Sequence, residues 1–356
     1  MELDFFIIIN NLTAATAIML GLLFMTSPSK NRRANIFLGL FLWSLAIEVV
    51  GVISDAFYEE FIYIPETSLA TIPFLVLYIN QTINSKIKGW YVALFIPVVL
   101  VNFLDLEEGT QWMLRLFDYV FNISLLLFIL RIVKKHSIRV NSFYSDLEHK
   151  TIRWITIIVY IYLGFYMLWF IEDIVVTQNE NLVESFAKLS TVLTFFMVYW
   201  IGYNGFTQHE TFKQQVFHRE EDIPFEEVDS KEKELDMISE ADMLLFEKMC
   251  VRIDSEKLYA NSKLTLNILS DALALPSRDV SRLINLNTKG NFYQFINGLR
   301  TEEFKRLLES PKAQKMSILG LAEESGFSSK STFYTVFKSM EGMTPKAYEL
   351  SLKESE

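Results

Sequence analysis

Residues 317–337 read SILGLAEESGFSSKSTFYTVF, a pattern typical of two short helices joined by a tight turn. Ser317 can cap the first helix, whose apolar residues recur at three- and four-residue spacing. Gly326 suits the turn that follows, since glycine adopts backbone angles that other residues avoid. The second helix has two apolar anchors four residues apart, Phe333 and Phe337, so one of its faces is buried and the other is left polar.

A second copy of this pattern begins about 52 residues earlier, at Thr265. Thr265 can cap the first helix, Pro276 marks the turn, and Val280 and Ile284 are the anchors of the second helix. Any helical bundle contains helix-turn-helix pairs, so one copy is weak evidence. Two copies with polar outward faces indicate DNA binding, in which the second helix of each pair enters a major groove.

The segment between the two copies, Asn291–Glu309, has the spacing of one continuous helix. At 1.5 Å per residue it would be roughly 28 Å long. A rod of that length could set two recognition helices about one DNA turn apart, near 34 Å. A single chain could then contact two successive major-groove segments on one face of the duplex.

Charge is distributed unevenly along the chain, whose net charge is −10. Residues 257–353 carry 14 Lys and Arg against 9 Asp and Glu, whereas residues 219–256 carry 5 against 14. The basic stretch contains both copies of the helix pattern, and a nucleic acid responds to that local balance rather than to the total.

The apolar residues are concentrated before position 205. A membrane-spanning helix needs roughly 20 apolar residues to cross a hydrocarbon core of about 30 Å. Seven segments come close to that length, although the third and fourth are short and contain Pro73 and Pro97. The predicted spans are residues 5–25, 34–54, 67–83, 89–105, 112–133, 154–176 and 186–206.

The connections between these spans alternate in charge. One set carries 12 Lys and Arg residues, and the other has at most two, Arg115 and Lys188. Because positive charge stays on the cytoplasmic side, the N-terminus is predicted outside and the C-terminal part in the cytoplasm, as an odd number of spans also requires. Seven buried helices of a large soluble protein would explain the hydrophobicity but not this alternation.

The polar, acidic segment 207–240 predicts a juxtamembrane linker, and Pro224 within it interrupts any helix. Its acidity could hold a basic surface in check, or the segment could be a solvated spacer. An amphipathic helix follows, which could pack on the next domain or pair with a second chain. The predicted domains are therefore a transmembrane domain (1–206), the linker (207–240) and a DNA-binding domain (241–356).

Enzyme chemistry finds little support in the sequence. Cys250 is the single cysteine, and the four histidines lie in polar connecting segments. There is no zinc-binding motif, phosphate-binding glycine loop or nucleophile elbow. We predict an all-α protein that is not an enzyme and uses no cofactor or metal. A transporter would show repeated halves or helices broken at midplane, and seven spans do not divide into equal halves.

Residues 257–352 resemble the AraC-type DNA-binding domain. The resemblance is carried by 318–338 and 342–348, and also by 264–266, 280–282, 291–297 and Arg300. The whole layout is similar to bacterial membrane-bound AraC-type regulators. The resemblance of residues 257–352 implies a core formed by Leu266, Leu269, Ile284, Phe295, Leu321, Phe327, Phe333 and Phe337. Soluble members of the family carry a separate ligand-binding or dimerisation domain, so their effectors do not transfer to this chain.

Matched position by position, the resemblance implies base-facing residues in both copies: Ser277, Arg278, Ser281 and Arg282 in the first, and Lys330, Ser331, Thr332, Tyr334 and Thr335 in the second. Arg and Lys can donate to guanine, and Thr can touch a thymine methyl. Ser277 could instead cap a helix, as we expect of Ser328 and Ser329. Arg282 could instead bind a phosphate or a nearby carboxylate. Phosphate contact or solvation is expected of Lys289, Arg300 and Lys338.

Charged and polar residues within the predicted spans are candidates for sensing, because charge inside a membrane is costly. Glu48, Asp118 and Asn80 are the candidates, and interhelical hydrogen bonding is the alternative role. We predict an inner-membrane regulator coupling a small-molecule or envelope signal to transcription. The spans could instead only anchor or sequester the regulator, or form a small transporter or receptor. Predicted partners are double-stranded DNA, the lipid bilayer, a second copy of the chain and RNA polymerase.

Overall fold

The computed structural model describes residues 5–28, 31–57, 65–83, 87, 89–103, 111–145, 153–173, 180–214, 239–288 and 290–355. Regular structure within these residues is helical throughout, with one isolated antiparallel bridge, between Tyr144 and Thr265. The all-α prediction is confirmed. The chain forms two compact units: Met1–Lys134 with Ile152–Glu220 is the first unit, and Lys135–Thr151 with Glu221–Glu356 is the second unit.

The first unit is built of long apolar helices. They are α1 (Phe5–Thr26), α2 (Arg32–Phe57), α3 (Ser68–Thr82), α4 (Ile96–Phe103), most of α5 (Gln111–Phe143), α6 (Arg153–Ile171) and α7 (Glu180–Gln214), with a 3₁₀ helix at Gly89–Phe95 before α4. The last nine residues of α5, 135–143, lie in the second unit. Helix α7 runs eight residues into the segment predicted as linker, most of which lies outside the described residues.

Five described helices are long and apolar enough to cross a membrane: α1, α2, α5, α6 and α7. The third predicted span is the 15-residue α3, which contains Pro73. The fourth is an apolar stretch of the same length, Gly89–Phe103, that changes from 3₁₀ to α helix where Pro97 occupies the second position of α4. Proline favours the first turn of a helix because its missing N–H is not needed there.

Close packing of α1 on α2 depends on two glycines. A Cβ at Gly21 would lie 2.5 Å from Cδ1 of Trp43, and a Cβ at Gly39 would lie 2.7 Å from the carbonyl oxygen of Gly21. The indole Nε1 of Trp43 donates to the carbonyl of Ile18 at 3.1 Å. Small residues that admit such close approach are typical of helix pairs in membranes.

Apolar side chains cover much of the outside of the first unit. Phe103 is 85% exposed and Val92 73% exposed, and the outward faces of α1, α5, α6 and α7 also present large apolar residues. The inside is apolar as well, with Phe24, Leu38, Phe41 and other side chains in one cluster. Helices that are hydrophobic all round are typical of membrane proteins.

The part of the second unit that the structure describes contains seven further α-helices: α8 (Glu240–Ser255), α9 (Leu266–Leu273), α10 (Ser277–Thr288), α11 (Phe292–Leu308), α12 (Ile318–Glu324), α13 (Lys330–Glu341) and α14 (Pro345–Ser355). The predicted rod corresponds to α11 with its two caps, Asn291 and Glu309. Its 17 helical residues measure about 25 Å. Helix α8 packs on the domain that follows it, burying Met249 and Ile253.

Each helix pair has its own apolar cluster, and α11 contributes to both. Phe292 and Ile296 belong to the cluster of α8, α9 and α10, whereas Phe304, Leu307 and Leu308 belong to that of α12 and α13. The predicted core residues are buried, apart from Phe295, which is half-buried against the first cluster.

Candidate nucleic-acid interface

Helices α9 and α10 form the first helix-turn-helix pair. Thr265 caps α9 by accepting the Ile268 N–H at 3.2 Å, as predicted. The turn passes through Ala274, which has a positive φ of 57°. Ser277 begins α10 and donates to Oδ1 of Asn267 on α9 at 2.8 Å, so the two helices are also joined by their side chains.

Helices α12 and α13 form the second pair. Ser317 caps α12 by accepting the Gly320 N–H at 3.1 Å, and Ser329 caps α13 by accepting the Thr332 N–H at 3.2 Å, as predicted for both. Between them Gly326 has a φ of +99°, and a Cβ there would lie 2.4 Å from the carbonyl oxygen of Tyr259. Glycine is therefore required by both backbone conformation and space.

Helix α10 presents a polar face opposite its buried anchors. Arg278 and Arg282 are exposed, and Ser281 is half-buried between them. Spacings of three and four residues place these three side chains on one side of the helix, whereas Val280 and Ile284 are fully buried on the other. This face has the donors that reading guanine requires.

Arg282 is already engaged by a carboxylate. Its two terminal nitrogens donate to the two oxygens of Asp242, at 2.7 and 3.1 Å. Asp242 lies in the first turn of α8, and its hydrogen bonds with Arg282 hold its pKa below the usual range. Of the roles expected for Arg282, the carboxylate contact is the one observed, and a DNA phosphate or base would have to displace Asp242.

Helix α13 presents Lys330, Ser331 and Thr335 as exposed side chains. Tyr334 is half-buried, and the Nζ of Lys330 lies 5.7 Å from the centre of its ring. Thr332 corrects the base-facing prediction: it is buried, and its hydroxyl lies 3.1 Å from that of the cap residue Ser329. Its hydroxyl therefore contributes to the helix start instead of facing outward.

Arg300 requires a second correction. It was expected to contact phosphate or solvent, yet its side chain is 0% exposed. It donates to the carbonyls of Tyr259 and Asn261, both at 2.8 Å. Lys338 is exposed, as expected, and Lys289 lies outside the described residues.

Internal ion pairs occupy several basic residues of the second unit. Lys257 and Arg306 both contact Glu303, and Lys305 contacts Glu302 and Glu341. Such pairs reduce the positive charge presented by the surfaces that carry them. The lysines of α13 and α14 are all exposed: Lys330 and Lys338 on α13, and Lys346 and Lys353 on α14.

The polar candidates within the first unit separate into two places. The Thr71 hydroxyl contacts Glu48 and lies 3.1 Å from the Ser44 hydroxyl. One turn earlier on α3, the Ser68 hydroxyl donates to Asp118 at 3.2 Å. The start of α3 therefore carries partners for both carboxylates; we call these four residues, Glu48, Ser68, Thr71 and Asp118, the polar cluster.

Asn80 lies apart from the polar cluster. Its Oδ1 accepts the Tyr91 hydroxyl at 3.2 Å, and its Nδ2 donates to the Val76 carbonyl at 2.9 Å. The Tyr91 contact joins the 3₁₀ helix to α3 and is therefore an interhelical hydrogen bond, the predicted alternative to sensing, whereas the Val76 contact lies within α3. Sequence reasoning missed Ser68 and Thr71, because hydroxyls in apolar helices usually bond within their own helix.

Comparison with known families supports the nucleic-acid interpretation of the second unit. A helix-turn-helix domain family of the AraC type matches residues 269–350, from within α9 to within α14. No curated protein and no solved structure matches the chain. The match supports a DNA-binding transcriptional regulator, and domains of this type are typically non-enzymatic.

Proposed function

We propose that this protein is a membrane-bound transcriptional regulator that binds specific double-stranded DNA sequences through α10 and α13. The observation that carries the proposal is the pair of capped helix-turn-helix units, each with a buried anchor face and an exposed polar face, on a shared helix. Each unit offers the second helix of its pair to a major groove.

Base recognition is assigned to the exposed donors of the two helices. Arg278 in α10 and Lys330 in α13 would donate to guanine, and the methyl group of Thr335 would contact a thymine methyl. Arg282 would join them once released from Asp242, and Ser281, Ser331 and Tyr334 would complete the contacts. Two such helices in one chain would contact two successive major-groove segments.

The membrane part of the proposal places seven crossings in the bacterial inner membrane, with the second unit in the cytoplasm. Its support is the set of apolar helices, five of them of spanning length, the apolar outer surface, and the difference in basic residues between alternate connections. With the second unit in the cytoplasm, the protein can bind DNA while its first unit stays in the membrane.

Signal sensing is assigned to the polar cluster. Two carboxylates on α2 and α5 have hydroxyl partners on one turn of α3, so a bound proton or small polar molecule would change how three helices are joined. Carboxylates within spans are costly and mark functional sites by default.

DNA recognition is tested with the full-length chain in lipid nanodiscs and a pool of genomic DNA fragments, sequenced after binding at two salt concentrations. We expect a motif with two contact segments about 10 base pairs apart. Arg278→Ala/Lys330→Ala should lose the motif and keep weak, salt-sensitive binding. Arg252→Ala/Lys353→Ala removes the same charges from exposed positions on α8 and α14 and should recover the motif. Sequence-independent binding by the unaltered chain would contradict the proposal.

Sensing is tested separately, with a reporter gene placed behind the recovered motif in cells grown under varied envelope conditions. Glu48→Gln/Asp118→Asn should hold the reporter at one level under all conditions. Asn80→Ser alters a polar residue outside the cluster and should leave the response intact. An unchanged response in the double variant would show that the spans anchor the protein without sensing through these carboxylates.

A further inference from the structure

The end of α5 is part of the core of the second unit. Val140, Phe143 and Tyr144 are buried there, in one cluster with residues of α8, α9, α10 and α11. Ser145, which follows the helix, is 0% exposed. These residues precede α8 by about a hundred positions and come directly after a predicted membrane span, yet they pack as deeply as the helices of the DNA-binding domain.

Backbone contacts join this segment to the start of the first helix-turn-helix pair. Tyr144 forms an antiparallel bridge with Thr265, the residue that caps α9. The Ser145 hydroxyl donates to the Leu264 carbonyl at 2.6 Å. The position of the α9 cap therefore depends on a segment that belongs to α5 in sequence.

The polar side of the contact is centred on Arg300. Its guanidinium donates to the Ser145 carbonyl at 3.3 Å and to the Ser145 hydroxyl at 3.1 Å. Asn297, one turn earlier on α11, donates to the same carbonyl at 2.9 Å. Departure of Ser145 would remove the carbonyl and hydroxyl partners of a buried cation, which is a costly change.

We propose that residues 135–145 are a docking segment: their binding beside the α9 cap and Arg300 holds the first helix-turn-helix unit in its DNA-binding form, and their release disables that unit alone. The second helix-turn-helix pair, α12 and α13, persists because Phe304, Phe333 and Phe337 form a separate cluster. The gating role rests on the proposed DNA binding, whereas the docking itself does not.

The docking segment and one member of the polar cluster belong to the same helix. From Asp118 to Phe143, α5 continues for roughly seven turns without interruption. A change in the hydrogen bonds of Asp118 that shifts or rotates α5 would therefore act directly on the segment that docks. This route bypasses the acidic linker between α7 and α8.

The test compares two aspartate substitutions on the docking segment, made in the full-length chain in nanodiscs. Val140→Asp places a carboxylate at a buried position, whereas Ile138→Asp places one at an exposed position on the same helix. Amide hydrogen exchange should rise at least tenfold in α9 and α10 for Val140→Asp and stay unchanged in α13. Ile138→Asp should match the unaltered chain in all three helices.

A milder pair of variants keeps the test decisive where Val140→Asp fails to accumulate. Ser145→Ala removes the hydroxyl that contacts Leu264 and Arg300, whereas Ser142→Ala removes one that bonds only to Ile138 of its own turn among the described contacts. We expect roughly fivefold faster hydrogen exchange in α9 for Ser145→Ala and an unchanged exchange rate for Ser142→Ala. Equal exchange in the two members of either pair would overturn the docking segment, as would loss of protection in α13 together with α10.

DNA footprints of the same samples separate this inference from the proposed function. Val140→Asp should lose one of the two contact segments and keep the other. Loss of neither segment, with exchange changed as expected, would overturn the gating role. If hydrogen exchange differs between the variants and their controls as expected, but the unaltered chain gives no specific DNA footprint, the docking is upheld and the proposed function is overturned.

Discussion

Replacing Gly326 by alanine should destabilise the second helix-turn-helix pair by about 3 kcal/mol. The positive φ of this residue accounts for about 1–2 kcal/mol in an L-amino acid. The new Cβ would also meet backbone atoms, the Tyr259 carbonyl oxygen at 2.4 Å and the Ala260 Cα at 2.7 Å. Backbone cannot turn aside as a flexible side chain can, so overpacking adds a further cost of about 1–3 kcal/mol.

Gly342 provides the matched control, because its φ is +72° and a Cβ there would meet nothing within 4 Å. Gly342→Ala should therefore carry only the conformational cost, about 1 kcal/mol. Hydrogen exchange of α12 and α13 amides in the full chain measures both changes. A cost of 3 kcal/mol corresponds to roughly 150-fold faster exchange, and 1 kcal/mol to roughly fivefold, where exchange follows opening free energy. Equal acceleration by the two variants would refute the steric argument.

Three further predictions concern other contacts. Asp242→Asn should raise DNA affinity about two- to fivefold by releasing Arg282. The pKa of Asp242 is lowered in the folded chain. The stabilisation by Asp242 is therefore complete above the ordinary carboxyl pKa and disappears as pH falls through the lowered value. If hydrogen exchange in α8 were the same in the unaltered chain and in Asp242→Asn at every pH of an acid titration, the Asp242–Arg282 ion pair would be excluded. Thr265→Ala should cost about 1 kcal/mol and speed exchange in α9 roughly fivefold, and unchanged exchange would show that the docking segment alone fixes the helix start. Gly21→Ala should lower the melting temperature in detergent, because the new Cβ would clash with Trp43. Gly164→Ala should leave the melting temperature unchanged, because a Cβ there would meet nothing within 4 Å. Similar melting temperatures of the two variants would contradict close packing of α1 on α2.

Local patterns predicted the helix pairs well. A cap, a turn glycine and two anchors four residues apart are fixed by neighbours within a few positions, and the structure has Thr265, Ser317 and Gly326 in the predicted places. The extent of α11 also followed from its apolar spacing, because both of its caps adjoin the periodic stretch.

Contacts between distant residues were beyond the reach of such patterns. Arg300 resembles any exposed arginine of a basic domain until Ser145, 155 positions away, is seen beside it. Lys135 and Arg139 indicated the orientation of a membrane loop, a role that says nothing about the buried Val140 next to them. Asp242 is one of many carboxylates in an acidic stretch, and no periodicity singles it out as the partner of Arg282.

The sharing of α11 by two apolar clusters has a consequence for the evolution of target sites. Since α10 and α13, the proposed recognition helices, both pack on α11, the distance and angle between them cannot adjust to the DNA sequence. One inserted base pair would turn the far half of a site by about 34° around the duplex. Promoters under this regulator would therefore tolerate point changes, which weaken single contacts, far better than insertions or deletions between the two halves.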